Sequence, residues 1–372
     1  MFEEIQKKDI SDLITKDTTL VIDADGLAYI PSTIVQETYI TVTHTKSKRT
    51  MDFKNLTEFK GRGKGKNISP DSWLGSTNTK RTVMNQSLFD LDDFTIEQKQ
   101  KDKLPLYIAT NAIDNHIKML LEKTRCSNYL LLLGSGENRR HKLPLPKKYK
   151  SNRDSTLRPI ALDACRSHMK ENYKYKYVTG MEADDVLSIY GFAGYQNYLK
   201  TGKFNYIVST NDKDGFGTPS LLLDWAKNGD KLKHENFFLI PDTSKSVGGI
   251  DLIKGELKGY GLMQIVHQCL TGDPADFYFA FKNTNTNYSL GDKGLFEKLY
   301  GKTTPKDALQ VLVDCYKEAY PEFVEFTAWD GSDQKLSWLE WAEMQFTCAY
   351  MPRSMKDTMS LEKLLKHFKV DY

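Results

Sequence analysis

Eight carboxylates stand in four short clusters along this chain of 372 residues, and together they could bind metal ions. The clusters occur in VIDADG, GMEADDV, VSTNDKDG and TGDPADF, and the candidate metal ligands in them are Asp23, Glu182, Asp184, Asp185, Asp212, Asp214, Asp273 and Asp276. Each cluster adjoins an apolar strand or helix, the position from which parallel strands present side chains along one edge of a sheet. Carboxylates packed closely cannot all stay ionised unless cations neutralise them. The set therefore predicts a metal site, and oxygen ligands in this number favour Mg²⁺ or Mn²⁺ over zinc.

Local spacing favours the same interpretation. Asp212 and Asp214 would share one face of an extended strand end, and Glu182 and Asp185 stand three residues apart at a predicted helix start. Gly272 permits a tight turn in front of the last cluster. Two divalent ions about 4 Å apart would lower the pKa of a bound water and stabilise the leaving oxygen of a phosphodiester.

Alternating strands and helices must position these side chains. TLVIDAD is predicted as a buried strand, a helix is predicted at about 105–123, and YLLLLG and YIVSTNDKD are predicted as further strands. LLLDWA and FFLI complete the set, and a helix follows GMEADD. This order predicts an α/β fold with a mostly parallel central sheet flanked by helices, a core over residues 1–258 and a helical region over 259–372.

Two basic segments interrupt this pattern. Residues 41–103 are polar and turn-rich, and one portion of them carries eight positive charges against two negative. This insertion is predicted to be a flexible loop that binds phosphates, or else a solvated or disordered loop. Its candidate DNA-binding residues are Lys60, Arg62, Lys64 and Lys66. A second basic segment, at about 139–176, adds Arg139, Arg140, Lys147 and Lys148.

Composition excludes several classes of protein. The net charge is only +3, so attraction to nucleic acid must come from local patches. Five cysteines without CxxC spacing argue against a disulfide framework or a zinc site. No long apolar run occurs, so we expect a soluble, cytoplasmic chain without a membrane partner, and a monomer.

The motifs together resemble the flap endonuclease or 5′ nuclease superfamily, particularly its phage-type 5′ to 3′ exonucleases. VIDADGLAY is similar to the family's first-strand Asp motif, GMEADDVLSIY to its G-x-E-A-D-D helix start, IVSTNDKDGF to its S-x-D-K-D strand end and LTGDPADF to its G-D-x-x-D motif. YKSNR, at 149–153, is similar to the family's Y-K-x-x-R at the foot of a helical arch over the active site. The order of the motifs matches the family over about 18–298.

The resemblance implies a PIN-like core with an arch at about 139–176, and Mg²⁺-dependent 5′ to 3′ exonuclease activity on DNA. Flap endonuclease and RNase H-like primer removal are candidate further activities, in phage replication, repair or recombination. All eight acids would be direct or water-mediated ligands of two or three Mg²⁺ or Mn²⁺ ions, with Asp23, Asp184 and Asp185 catalytic. The partner would be DNA with a free 5′ end, flap or gap, with an RNA–DNA hybrid as a candidate, in the host cytoplasm if the chain is phage-encoded.

The resemblance also assigns roles to the Y-K-x-x-R residues. Lys150 would face the scissile phosphate and stabilise its developing charge. Arg153 would help to neutralise that phosphate, and Tyr149 would offer a ring on which a base stacks.

The chain departs from the family's pattern at two places. The family carries another metal-site Asp at the end of the second strand, where this chain has Gly134. After GDPAD the family has a helix-hairpin-helix that grips duplex DNA with a bound monovalent cation, for which K⁺ is a candidate. Here only Gly291 and Lys293 resemble the end of that motif.

Two alternatives stay open. Asp23-x-Asp25 also fits the first motif of haloacid-dehalogenase-like phosphatases, with Asp23 as nucleophile and Asp25 as general acid. An Asp25→Asn substitution is expected to abolish phosphatase chemistry and to leave a nuclease largely active. The other alternative is a DNA-binding relative whose metal site has decayed, with Gly134 as the first sign.

Overall fold

The structure, a computed structural model, describes residues 10–62, 65–154, 156–225, 236–242 and 246–372. The chain divides into two compact units. The first comprises the described parts of Met1–Leu27, Asn115–Ser155 and Met169–Tyr372, and the second those of Ala28–Asp114 and Thr156–His168. Residue 258 is not a boundary between units, because the C-terminal region belongs to the same unit as the central sheet.

A six-stranded sheet forms the centre of the first unit. Its strands, in spatial order, are β6 (Tyr175–Gly180), β5 (Asn128–Asn138), β1 (Ile14–Asp23), β7 (Phe204–Thr210), β8 (Ser220–Asp224) and β9 (Asn236–Ile240). Every neighbouring pair is parallel except β8 with β9, which is antiparallel. The predicted α/β fold class with a mostly parallel sheet is confirmed.

Strand β1 lies in the middle of this sheet because its apolar run can be buried on both faces. Leu20, Val21 and Ile22 are fully buried. Asp23 ends the strand beside Leu132 of β5. The first acidic cluster therefore stands at the carboxyl edge of the sheet, between β5 and β7.

The helices of the α/β pattern are α1 (Ala24–Ile34), α4 (Leu106–Thr124), α5 (Leu162–Asn172) and α6 (Ala183–Thr201). Helix α6 packs on the sheet through Val186 and Leu187, against Val208 and other strand residues. Gly194 lets the helix approach closely, since a Cβ there would lie 2.6 Å from the carbonyl oxygen of Tyr206. This packing brings the N-terminus of α6, with GMEADD, to the carboxyl edge of the strands.

The C-terminal region adds helices and two hairpins to the first unit. The elements are β10 (Gly249–Ile253), β11 (Glu256–Tyr260), α7 (Leu262–Thr271), α8 (Asp292–Leu299), α9 (Pro305–Ala319), β12 (Val324–Thr327), β13 (Asp333–Leu336), α10 (Trp338–Ala349) and α11 (Leu361–His367). Helices α7 to α11 lie in the region that was predicted to be helical. The hairpins were not predicted, because strands of four or five residues show too little periodicity.

The basic insertion is folded where the structure describes it, so its prediction as a flexible loop is wrong. It forms a three-stranded antiparallel sheet, and its elements are β2 (Gln36–His44), β3 (Thr50–Phe53), β4 (Phe94–Asp102), α2 (Leu56–Lys60) and α3 (Trp73–Val83). Phe59 is buried among Phe53, Trp73 and Phe94. These aromatic residues are far apart in sequence and separated by charges and glycines, so no window of the sequence shows a core.

The candidate DNA-binding residues of the insertion are only partly available. Lys60 is buried, and its ammonium donates to the carbonyl oxygen of Gly65 at 2.6 Å. Lys66 pairs with Asp92. Arg62 is exposed, and Lys64 lies outside the described residues.

The described part of the segment at about 139–176, predicted to be an arch, contains one α-helix, α5, of 11 residues. Short 3₁₀ helices at Arg139–Lys142 and Ser151–Arg153 precede α5, and β6 follows it. Among the described residues, none of the helices has the length and apolar character that a membrane crossing needs.

Candidate metal and phosphate site

The acidic site is centred on Asp23, at the end of β1. Only 7% of this residue is exposed. Its Oδ1 accepts a hydrogen bond from the backbone N–H of Asp25 at 3.1 Å, and its Oδ2 accepts one from the hydroxyl of Thr210 at 3.3 Å. Thr210 ends β7, so the two neighbouring strands meet at this carboxylate.

The carboxylates of three motifs act on one another here. Burial, then the charges of Asp25 and Asp212, raise the pKa of Asp23 to about 7. Burial, then Asp23 and Asp212, raise the pKa of Asp184 well above its ordinary value. Burial, then Asp212, also raise the pKa of Asp214. The first three acidic clusters therefore form one electrostatic site, which the sequence could only suggest.

The raised pKa of Asp23 predicts how the stability of the metal-free protein depends on pH. Its ordinary value is 3.8 and the folded value is about 7, so between these the folded state binds more protons than the unfolded chain. The free energy of unfolding should therefore fall as pH rises through this range, by on the order of 1 kcal/mol or more. Thermal unfolding in EDTA across this range measures it. Asp23→Asn should flatten the dependence, and an equal slope in both proteins would contradict the assignment.

Arg140 holds the start of α6. It is 0% exposed, its guanidinium donates to both carboxylate oxygens of Asp185 at 2.8 and 3.0 Å, and it donates to Glu182 at 3.1 Å. It also donates to the carbonyl oxygen of Cys348 at 3.2 Å. Burial acts to lower the pKa of Arg140, but the charge and hydrogen bonds of Asp185, together with Tyr149 and Glu182, outweigh it, so the pKa is raised. Asp185 is thus neutralised by the protein itself.

The fourth cluster is bound by cations of the Y-K-x-x-R motif. Asp276 accepts hydrogen bonds from the Tyr149 hydroxyl and, at 2.8 Å, from Arg153. Lys150 pairs with Glu182 and lies 3.5 Å from Asp276. Lys150 itself has a φ of 60°, a left-handed conformation that is rare outside glycine and clusters at functional sites.

The last two acids are also engaged. Lys213 pairs with Asp273 at 3.0 Å, and Gln268 donates to Asp214. Gly272 makes the turn before GDPAD with a φ of 74°, and a Cβ there would lie 2.2 Å from the carbonyl oxygen of Tyr278. The predicted role of Gly272 in this turn agrees with that geometry.

The local prediction for NDKD needs a correction. Strand β7 ends at Thr210, and Asp212 caps a 3₁₀ turn over Lys213–Gly217, accepting from the N–H of Asp214 at 3.1 Å. The two aspartates therefore reach the site from a turn instead of an extended strand end.

The donor set suits a hard divalent cation. In the part of the chain that the structure describes, no three acidic, histidine or cysteine side chains already stand as a ready ligand set. Oδ1 of Asp184 is nevertheless buried without a hydrogen-bond partner among the described residues, and such a group is costly unless something neutralises it. Asp23, Asp184 and Asp212 form no ion pair there, and carboxylate oxygens are the ligands that Mg²⁺ and Mn²⁺ prefer.

Besides Lys60, two more residues predicted to bind DNA are buried, which corrects the sequence interpretation. Arg140 has no exposed surface, and only 1% of Tyr149 is exposed, so neither a phosphate contact nor a stacking ring is presented there. Arg139, Lys147 and Lys148 are exposed. A sequence offers no way to separate these neighbours, because burial of Arg140 depends on partners more than 40 residues away.

The remaining candidates lie in the helical region. Gly291 caps the N-terminus of α8, and Lys293 in its first turn is exposed.

Lys148 makes a contact that the sequence did not indicate. Its ammonium lies 5.2 Å from the centre of the Trp329 ring.

Several polar residues of the site were not predicted. Asn138 donates to Glu182 at 2.9 Å, and with it Thr210, Lys213, Gln268 and Asp25 touch the acidic clusters. Lys213 and Asp25 stand inside the acidic motifs, and that position was the available indication.

Gly134 lies directly beside this site. Its N–H donates to Oδ2 of Asp25 at 2.9 Å. A Cβ on Gly134 would also lie 2.9 Å from that oxygen. The carboxylate of Asp25 therefore stands where a side chain of residue 134 would begin.

No protein-family model and no curated protein matches the chain. Among solved structures, T5 5′-exonuclease with bound zinc ions matches at 14% identity and a TM-score of 0.41, covering 70% of this chain and 90% of that one. A second, T5 D15 protein co-crystallised with metal ions, has 13% identity and a TM-score of 0.41 and covers 70% and 91%. A third, a lysine-to-alanine mutant of T5 5′-exonuclease, has 13% identity and a TM-score of 0.34 and covers 70% and 79%.

Two of these structures carry the name 5′-exonuclease. Likeness at these identities and TM-scores transfers no activity and no residue's role, so the function proposed below depends on this chain's own side chains.

Proposed function

We propose that the chain is a divalent-metal-dependent 5′ nuclease that hydrolyses DNA phosphodiesters near 5′ ends. The observation that carries this proposal is the convergence of Asp23, Asp184 and Asp212 in a partly buried site next to Lys150. Paired carboxylates without internal cations suit metal ions, and a lysine at their margin suits a phosphate. Mg²⁺ or Mn²⁺, as two or three ions, is the proposed cofactor.

The proposed ligands divide by what already neutralises them. Asp23, Asp184, Asp212 and Asp214 are the inner carboxylates, and bound ions would supply an activated water and charge stabilisation there. Glu182, Asp273 and Asp276 are paired with cations of this chain, so they would act through water or by holding those cations. Asp185 is bound on both oxygens by Arg140, which supports a structural role in place of the catalytic one.

Lys150 and Arg153 would bind the scissile phosphate. Lys150 is half-buried between Glu182 and Asp276, whose charges outweigh burial and raise its pKa, so it stays protonated. Its ammonium can stabilise charge that develops on phosphoryl oxygens. Arg153 has a side chain that is 58% exposed, so it can reach a phosphate while it pairs with Asp276.

The phosphatase alternative explains fewer of these residues. It gives roles to Asp23 and Asp25, but it leaves Asp184, Asp212 and Lys150 at the same site without one. The nuclease proposal uses all of them. The decayed-site alternative is disfavoured because Asp23, Asp184, Asp212 and Asp214 are all present at the site, although Gly134 stands where the family has a further Asp.

Digestion of labelled DNA tests the proposal. Duplex, gapped and flapped substrates labelled at the 5′ or the 3′ end should release the 5′ label first, with Mg²⁺ and not with EDTA. Earlier release of the 3′ label would refute the polarity. Hydrolysis of p-nitrophenyl phosphate without DNA cleavage would favour the phosphatase, and metal-independent DNA binding alone would favour the decayed site.

Lys147 and Lys148 are expected to contact DNA phosphates, since both are exposed and lie three and two residues before Lys150. Replacing both with Ala should weaken DNA binding and reduce the slope of log K against log salt by about 0.9 for each lost contact. Fluorescence anisotropy over a salt series measures this. Lys66→Ala is the matched control, because Lys66 already pairs with Asp92. An unchanged slope in the double variant would contradict the contact.

A further inference from the structure

Asp25 stands in the VIDADG motif but is not among the proposed metal ligands above. It lies in the first turn of α1, two residues after Asp23, and its backbone N–H donates to Asp23 Oδ1 at 3.1 Å. Its carboxylate bends toward β5, where Oδ2 accepts the N–H of Gly134 at 2.9 Å. Asp25 thus bridges the ends of two neighbouring strands at the acidic site.

Gly134 is what makes this position available. A Cβ there would lie 2.9 Å from Asp25 Oδ2, closer than real Cβ atoms approach, and 3.6 Å from the backbone nitrogen of Ala183. Ala183 begins α6 immediately before Asp184. The space above Gly134 therefore lies between β5 and the N-terminus of α6, and the Asp25 carboxylate fills it.

A second observation indicates a cation next to this position. Oδ1 of Asp184 is buried and has no hydrogen-bond partner among the described residues. Asp23 and Asp184 form no ion pair among the described residues. The carboxylate of Asp25, two residues after Asp23, adds further negative charge to this site, and a shared cation would neutralise it.

We propose that Asp25 is a metal-site residue. Its carboxylate, at the start of α1, takes the place of one that Gly134 of β5 cannot supply. Glycine is required at position 134 because any side chain there would displace this carboxylate. This inference rests on the proposed metal-dependent function. With Asp25 included, the metal site has a carboxylate for the one missing at Gly134, and this carboxylate comes from a helix instead of a strand.

Metal binding, measured apart from activity, tests the inference. In calorimetric titration with Mn²⁺, Asp25→Ala should weaken binding by about 10-fold or more. Gly134→Ala should weaken it similarly, because its new Cβ displaces the Asp25 carboxylate. In the Asp25→Ala background, Gly134→Ala should cost no further affinity, because the Cβ then meets no carboxylate.

Transfer of the carboxylate sharpens the test. Asp25→Ala combined with Gly134→Asp should recover Mn²⁺ affinity relative to Asp25→Ala alone. Asp17→Asn, an exposed acid at the far end of β1, and Gly294→Ala, in α8, are the matched controls and should leave the affinity unchanged. If Gly134→Ala does not fold, Asp25→Ala alone still decides the matter.

Two failures remain distinguishable. A wild-type chain that binds Mn²⁺ and cleaves DNA, with an Asp25→Ala variant of unchanged Mn²⁺ affinity, would overturn the role of Asp25 alone. A wild-type chain that binds no Mn²⁺ and cleaves no DNA would overturn the proposed function with it.

Discussion

Arg140→Met is expected to destabilise the folded chain by about 3–5 kcal/mol, because it leaves the buried carboxylate of Asp185 without its partner. The guanidinium is 0% exposed and its bonds join α6 to the end of α10. Methionine keeps much of the volume, so the loss reports the charge. Urea unfolding monitored by circular dichroism measures it.

The neighbouring residue provides the control for this prediction. Arg139 is exposed, so Arg139→Met should change the free energy of unfolding by no more than about 0.5 kcal/mol. Adding Asp185→Asn to Arg140→Met should recover part of the loss, since the unpaired charge is then gone. Equal effects of Arg139→Met and Arg140→Met would show that Arg140 does not hold the site.

Asp184→Asn is expected to lower DNA cleavage by about 10³-fold, which corresponds to a loss of about 4 kcal/mol of transition-state stabilisation. Its Oδ1 is a buried carboxylate oxygen that accepts no hydrogen bond from the described residues, so a bound cation would satisfy it. Single-turnover cleavage with saturating Mg²⁺ measures the chemical step.

The metal-free Asp184→Asn variant should be more stable than the wild-type protein, although it cleaves DNA more slowly. Without metal, Asp184→Asn removes a buried charge from among like charges and should raise the melting temperature. Wild-type protein should gain about 2.7 kcal/mol of stability when Mn²⁺ is present at 100 times its Kd, and the variant should gain less. Asp17→Asn is the control for both readouts. An Asp184→Asn variant that cleaves DNA at the wild-type rate would contradict the assignment of Asp184 as a metal ligand.

The place of Asp25 changes how the alternatives can be separated. If Asp25 belongs to the metal site, Asp25→Asn impairs a nuclease as well as a phosphatase, so the expectation that it spares a nuclease fails. Asp184→Asn still separates them, because the phosphatase chemistry gives that residue no role. Lys150→Ala separates them in the same way.

Local pattern was enough for the elements that carry the site. Continuous apolar runs such as TLVIDAD and YLLLLG predicted parallel strands, and the acids at their ends were predicted to meet at one edge. The order of the motifs added the resemblance to 5′ nucleases. These features depend on residues close together in the chain, and for that reason the sequence by itself determined the fold class, the acidic clusters and the candidate chemistry.

Only the tertiary structure decided which charged side chains pair with one another and which are exposed. Arg140 and Arg139 are adjacent in sequence, yet one binds Asp185 in the interior and the other is exposed. The aromatic core around Phe59 is assembled from distant residues, so a segment that lacks periodicity folds. The carboxylate of Asp25, in the helix that follows β1, lies over Gly134 of β5. Burial and ion pairing arise between segments far apart in the chain, and their energies depend on distances that no local pattern contains.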